Sequence, residues 1–213
     1  MSTGSPSAAH DRPAPILVPL TEDPRPTLPI GLVTVVYGVM AAGSVAWSVL
    51  VQDRHPLLLG DGQGTGWWVG VLIGLLLGAV TVMLSRVGER HLRSLERLSR
   101  FLREAVRGLS PVALVWLGVL SATAEELLFR GVLLESMGLL GSSLLFAVVH
   151  IGPRGARLAW MIFALIMGLL LGLLTHYTGS LLGAVVAHAF INTINLLRLG
   201  ARPIPAADAA DLH

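Results

Sequence analysis

The chain has 213 residues, of which 54% are hydrophobic and 13% charged, and its mean hydropathy is +0.73. Soluble domains carry about 25% charged residues, so this composition excludes an ordinary soluble protein and predicts one membrane-embedded domain of helices. The formal net charge is +2 and cysteine is absent, which excludes disulfide bridges and thiolate metal sites.

Hydrophobic runs begin after a proline-rich start. Residues 1–29 are rich in proline and in small or polar residues, which predicts a disordered cytoplasmic tail. The first two runs, Ile30–Val51 and Trp67–Leu84, flank a polar loop with several glycines. Each is long enough to cross a bilayer, which takes roughly 20 residues.

The stretch from Arg86 to Leu109 is different because it is amphipathic. Arginines recur at steps of three and four residues on one predicted helical face, and leucines fall on the opposite face. This pattern predicts an interfacial helix lying on an anionic membrane surface, with a solvated linker between two spans as the alternative.

Four further hydrophobic runs complete the chain: Pro111 to about Glu135, Leu139–Ile151, Leu158–Thr175 and Leu181–Leu197. Gly138 and Gly141 predict a tight turn between the first two of these runs. The fold class expected is therefore all-α, a polytopic transmembrane helix bundle of about six spans. Its membrane domain covers 30–200, its motif core covers 111–197, and residues 201–213 form a flexible tail.

The distribution of arginine predicts the topology. With six spans and the N-terminus inside, thirteen arginines lie on the cytoplasmic side and only Arg54 lies outside. Such an excess is the positive-inside pattern. It indicates that the short run Leu139–Ile151 crosses the membrane, and that both termini are cytoplasmic.

The third span contains three charged residues, Glu125, Glu126 and Arg130. Each charge at such depth costs about 2.5–3.5 kcal/mol on insertion scales, so a functional site is the default interpretation. Glu126 and Arg130 are four residues apart, share a helical face and can form an ion pair, which could equally be a structural pair that sets helix register. Glu125 is rotated by about 100° and is free to address another partner.

Two later spans add imidazole and amide groups. The fourth run ends with His150, which by itself is a weak signal, and the sixth contains His188 and Asn192 on one helical face. A desolvated carboxylate can act as a general base on water, and imidazole and amide donors can hold an oxyanion. These groups therefore suit hydrolysis of an amide inside the membrane. One glutamate with two histidines would also suit zinc, so a metal site stays open.

The three polar segments resemble known motifs. EELLFRG (125–131) resembles the EExxxR signature of the CAAX-protease and bacteriocin-processing family, also called CPBP or Abi; FAVVH (146–150) resembles its FxxxH motif, and HAFIN (188–192) its HxxxN motif. All three occur in the family's order on separate spans. The resemblance covers about 111–197, and six spans are fewer than the eight common among the family's CAAX endopeptidases.

The resemblance implies an intramembrane endopeptidase of the glutamic type. Glu125 would activate water, His150 would help orient it, and His188 with Asn192 would form the oxyanion site. Glu126 would complete the catalytic set by supporting Glu125, and Arg130 and Phe146 would support the site or bind substrate. No cofactor and no metal is expected, with zinc left open as above.

The expected partners are the lipid bilayer and a membrane-anchored protein or peptide, not nucleic acid. Candidate substrates are prenylated CAAX tails, bacteriocin leaders and C-terminal sorting tails, and the small size favours the last, as in myxosortase-like members. The expected location is a bacterial inner membrane. The alternatives are a non-catalytic immunity or scaffold protein of the same family, a zinc-dependent membrane protease, and a small transporter with a Glu/His proton relay.

Overall fold

The computed structural model describes residues 28–58 and 64–201. These residues form seven α-helices and one π-helical segment, and no β-strand lies among them. The helices are α1 Ile30–Leu50, α2 Trp67–His91, α3 Arg93–Ala105, α4 Pro111–Glu126, α5 Leu134–Val149, α6 Arg157–Thr178 and α7 Leu182–Gly200. The all-α expectation is confirmed, whereas the predicted disorder of the two tails concerns residues almost entirely outside the described ranges.

Five apolar segments of the described chain are long enough to cross a membrane, and one of them is the continuous 39-residue segment Pro111–Val149. This segment comprises α4, the π-helical segment Leu127–Leu133 and α5. The backbone of Gly138 leaves the helical region, with φ 72° and ψ 175°, so the chain bends near the turn that the sequence predicts. The molecule is an integral membrane protein, and its six-span count stays a prediction.

The amphipathic stretch begins later than the arginine pattern suggested. Arg86 and Arg90 belong to the end of α2, which continues to His91, and Leu92 then breaks the helix with an extended backbone. The stretch between Leu84 and Leu92 contains no proline, and α2 continues through Gly88, which explains its greater length. Helix α3 has no fully buried residue, as expected for a surface helix, and its contact with lipid stays a prediction.

Glycines set the closest helix contacts. A Cβ on Gly74 of α2 would collide with the carbonyl oxygen of Gly183 on α7, and a Cβ on Gly118 of α4 would collide with Thr193 of α7. Such small residues allow membrane helices to approach backbone to backbone. Helix α7 is therefore held between α2 and α4, which brings its polar face opposite the glutamates of α4.

Candidate active site

Glu126 and Arg130 form a buried ion pair. Arg130 Nη1 lies 2.7 Å from Glu126 Oε1, and the side chains are 1% and 0% exposed. The i, i+4 spacing predicted this pairing, and the structure confirms it. Arg130 lies in the π-helical segment that begins directly after Glu126, a backbone form that is frequent at functional sites.

The same carboxylate oxygen has a second partner. His188 Nδ1 on α7 lies 2.7 Å from Glu126 Oε1, so one oxygen joins α4 to α7. A carboxylate only accepts, and therefore Nδ1 of His188 carries the proton. Glu126 is thus enclosed between a guanidinium and an imidazole, away from the surface of the bundle.

Phe146 packs beneath this ion pair. The guanidinium carbon of Arg130 lies 4.5 Å from the centre of the Phe146 ring, within reach of a cation–π interaction. Arg130 also donates from Nη2 to the carbonyl oxygen of Gly168, at 3.3 Å. Phe146 is buried. Its geometry therefore fits structural support better than direct contact with a substrate.

Glu125 occupies a more open position than its neighbour. Its side chain is 13% exposed, and Tyr37 of α1 donates from Oη to Oε1 over 3.1 Å. The other oxygen, Oε2, lies 3.7 Å from His150 Nε2 and 3.8 Å from His188 Nε2. Among the described residues, no group donates a hydrogen bond to Oε2. The three helices therefore converge at this oxygen.

His150 follows the last residue of α5 and caps it. Its Nδ1 lies 2.7 Å from the carbonyl oxygen of Phe146, which only accepts, so Nδ1 carries a proton and the other ring nitrogen, Nε2, faces Glu125. The ring is held between Phe146, at 4.2 Å, and Trp160 of α6, at 5.9 Å, measured between ring centres. The FxxxH spacing thus places Phe146 both as a hydrogen-bond acceptor and as a packing surface for the histidine.

Asn192 lies one turn beyond His188 on α7. Its Nδ2 donates to Ser121 Oγ at 3.2 Å, and Ser121 is one turn before Glu125 on α4. An amide nitrogen has two protons, so the second stays available to another acceptor. The structure thus brings six of the seven residues predicted from the sequence into one connected cluster, and Asn192 lies beside it, one turn from His188 on α7.

Sequence reasoning did not select Tyr37, Ser121 or Trp160. The sequence could have pointed to Tyr37, because a hydroxyl group inside an apolar span needs a hydrogen-bond partner. It could have pointed to Ser121 as well, because Ser121 shares a helical face with Glu125. Trp160 carries no such signal, since aromatic residues are common in spans.

Metal binding receives no direct support from the geometry. Within the described ranges, no group of three histidine, aspartate or glutamate side chains is arranged to hold a metal ion. In a tetrahedral zinc site with bond lengths near 2.0–2.1 Å, two ligand atoms lie about 3.3 Å apart. The distances from Glu125 Oε2 to the two histidine nitrogens, 3.7 and 3.8 Å, are longer than this spacing. The zinc alternative is thus a question for chelation experiments.

Comparison with known proteins locates the similarity in the second half of the chain. Residues 107–194 match the family described as type II CAAX prenyl endopeptidase Rce1-like. The uncharacterized protein YpbD of Bacillus subtilis (strain 168) is 37% identical over 83 residues, which are 38% of this chain and 42% of that protein. The chain thus aligns with less than half the length of this curated relative, and no solved structure matches significantly.

Proposed function

We propose that the chain is an intramembrane endopeptidase of the family whose model residues 107–194 match, the Rce1-like type II CAAX prenyl endopeptidases, a family that the three motifs also predict. The observation that supports the proposal best is the convergence of Glu125 Oε2 with the Nε2 atoms of His150 and His188. The subgroup of myxosortase-like members stays a prediction.

Water activation is assigned to Glu125 and His150. Both present an acceptor atom, and these atoms are 3.7 Å apart, so one water molecule can donate a proton to each. A lone pair of this water oxygen then points away from both acceptors and toward the carbonyl carbon of the peptide. A positioned general base of this kind contributes about 10²–10⁴-fold to the rate.

The oxyanion is assigned to Asn192 and His188. The second amide proton of Asn192 is one donor, and the other is Nε2–H of His188 in its imidazolium form. Glu126 accepts from Nδ1 of that ring and so stabilises the positive charge. Arg130 fixes Glu126 in turn, which explains a second glutamate beside the base.

The reaction balances within these groups. The water oxygen bonds to the carbonyl carbon while one of its protons moves to Glu125 and the carbonyl electron pair moves onto oxygen. When the tetrahedral intermediate collapses, the C–N bond breaks and the proton on Glu125 passes to the leaving nitrogen. Glu125 is then a carboxylate again, and no metal or covalent intermediate is required.

The proposed substrate is a peptide segment of a membrane-anchored protein. A site among three apolar helices is reached most directly from the bilayer or its cytoplasmic face, near the end of α5. Prenylated CAAX tails, leaders and C-terminal sorting tails all satisfy this condition. The proposed location is the inner membrane of a bacterium.

The test compares the ends of membrane peptides by mass spectrometry in deletion cells that express either the wild-type chain or Glu125→Gln. We expect at least one membrane-anchored protein to be processed only with the wild-type chain, although both chains accumulate equally. Glu96→Gln on the exposed face of α3 is the matched control and should process normally. Identical peptide ends with Glu125→Gln would contradict the proposal and favour an immunity or scaffold role.

Cofactor-free catalysis is tested separately. The purified protein is treated with 1,10-phenanthroline, dialysed and assayed on a quenched peptide that spans the cleavage site found in cells. We expect full activity and less than stoichiometric metal. Loss of activity that zinc restores would replace the glutamic mechanism by the zinc-dependent alternative.

A further inference from the structure

Tyr37 is a polar residue of α1 that contacts the glutamate from outside the family-matched segment. Its hydroxyl donates to Glu125 Oε1 over 3.1 Å, and its ring is partly buried against the cluster that contains Leu114 and Leu117 of α4. The match covers only 107–194. The contact is therefore contributed by the N-terminal part of this chain, to which the comparisons assign no role.

We propose that Tyr37 is a positioning residue for Glu125, an inference that rests on the proposed function. The terminal torsion of a glutamate is broad, so an unrestrained carboxylate rotates easily. Because Tyr37 holds Oε1, Oε2 is directed toward His150 and His188. Supporting hydrogen bonds of this kind orient the groups that carry the chemistry.

A second hydrogen bond docks the same face of α1. Trp116 Nε1 of α4 donates to Thr34 Oγ1 at 3.0 Å, and Thr34 lies three residues before Tyr37. The two bonds differ in one respect, because only that of Tyr37 reaches a glutamate. Thr34 thus provides a control for loss of α1 docking without loss of the contact to Glu125.

The kinetic test uses Tyr37→Phe, which removes one oxygen atom. With the quenched peptide that spans the cleavage site, we expect kcat to fall about tenfold and KM to change less than twofold. The variant lacks a hydrogen bond to the charged Glu125, which orients the base for the chemical step and does not bind the substrate. Thr34→Val and Tyr177→Phe are the controls; Tyr177 is 62% exposed, and both variants should keep kcat within twofold. An unchanged kcat in Tyr37→Phe, or an equal fall in Thr34→Val, would overturn the proposal.

A spectroscopic test needs no activity. The chain has two tyrosines, so Tyr177→Phe leaves Tyr37 as the single tyrosine. Infrared difference spectra of ring-labelled tyrosine then report the hydrogen bond of its hydroxyl. We expect the label bands to shift when Glu125→Leu removes the acceptor, and identical bands would show that the contact does not form.

The two proposals fail in different ways. If neither the wild-type chain nor Glu125→Gln processes any peptide, the proposed function fails while the infrared shift still reports the contact. If the wild-type chain is active, Glu125→Gln is inactive and Tyr37→Phe equals the wild type, the positioning role alone fails.

Discussion

Two neighbouring carboxylates lie in opposite surroundings. Glu126 is fully buried and one of its oxygens accepts from both Arg130 and His188. Glu125 is 13% exposed; within the described part of the chain it accepts a hydrogen bond from Tyr37 at one oxygen, and its other oxygen faces two imidazole nitrogens. The two side chains differ by one helical position, which is a rotation of about 100°.

The contrast shows how one residue type serves two purposes. The carboxylate of Glu126 is 0% exposed and is held by a guanidinium and an imidazole, whereas that of Glu125 is 13% exposed and faces two imidazole nitrogens with which it can share a water molecule. The enclosed group therefore suits a structural and electrostatic role, and the open group suits the base. The following predictions test that division, starting with the largest expected effect.

Glu125→Gln and Glu126→Gln test the division directly in the purified protein. Glu125→Gln should lower kcat/KM by about 10³-fold or more with an unchanged thermal unfolding temperature, because only the base is lost. Glu126→Gln should also lower the unfolding temperature, because Arg130 is left as an unpaired buried charge. Peptide cleavage and thermal unfolding in detergent measure both. Equal unfolding temperatures for the two variants would contradict the division.

Arg130→Met tests the enclosed pair alone. Loss of the cation should reduce the free energy of unfolding by about 3–5 kcal/mol, because the Glu126 carboxylate stays buried without its main partner. The double variant Glu126→Met with Arg130→Met should recover much of that loss but not the activity, since His188 loses its acceptor. Denaturant titration in detergent gives the free energy of unfolding of the wild type and of both variants. A double variant no more stable than Arg130→Met would contradict a stabilising ion pair between Glu126 and Arg130.

Asn192→Ala tests the opposite side of the open site. Removing one oxyanion donor should lower kcat by about 10²–10³-fold and change KM little. Asn195→Ala, less than one turn further along α7, is the matched control and should keep kcat within a few-fold. Steady-state cleavage of the same peptide measures both variants. Comparable losses in the two would assign Asn192 a packing role.

Phe146→Leu should affect both glutamates moderately, because the ring contacts Arg130 and also packs against His150. We expect a loss of about 2 kcal/mol in stability and less than a tenfold fall in kcat. Phe129→Leu is a matched control, since Phe129 is similarly buried and contacts the Phe146 ring. Phe129→Leu should lower stability without changing kcat. If both variants have the same kcat, Phe146 has no specific role in catalysis.

Much of the site was predictable from spacing. The ion pair of Glu126 with Arg130 and the shared face of His188 and Asn192 follow from residues four positions apart on a helix. The bend near Gly138 follows from glycine's access to positive φ. The π-helical segment at 127–133 was not predicted, because its sequence is as apolar as that of an ordinary α-helix.

By itself, the sequence determined that the chain forms apolar helices, that charged and imidazole groups lie within them, and which of these share a helical face. Only the tertiary structure decided which glutamate is enclosed and which is open, and that Tyr37 reaches Glu125 across 88 positions of sequence. Periodicity describes one helix at a time, whereas such contacts depend on how helices are rotated and shifted against each other. In this molecule, glycines such as Gly74 and Gly118 allow the close approach that sets those positions.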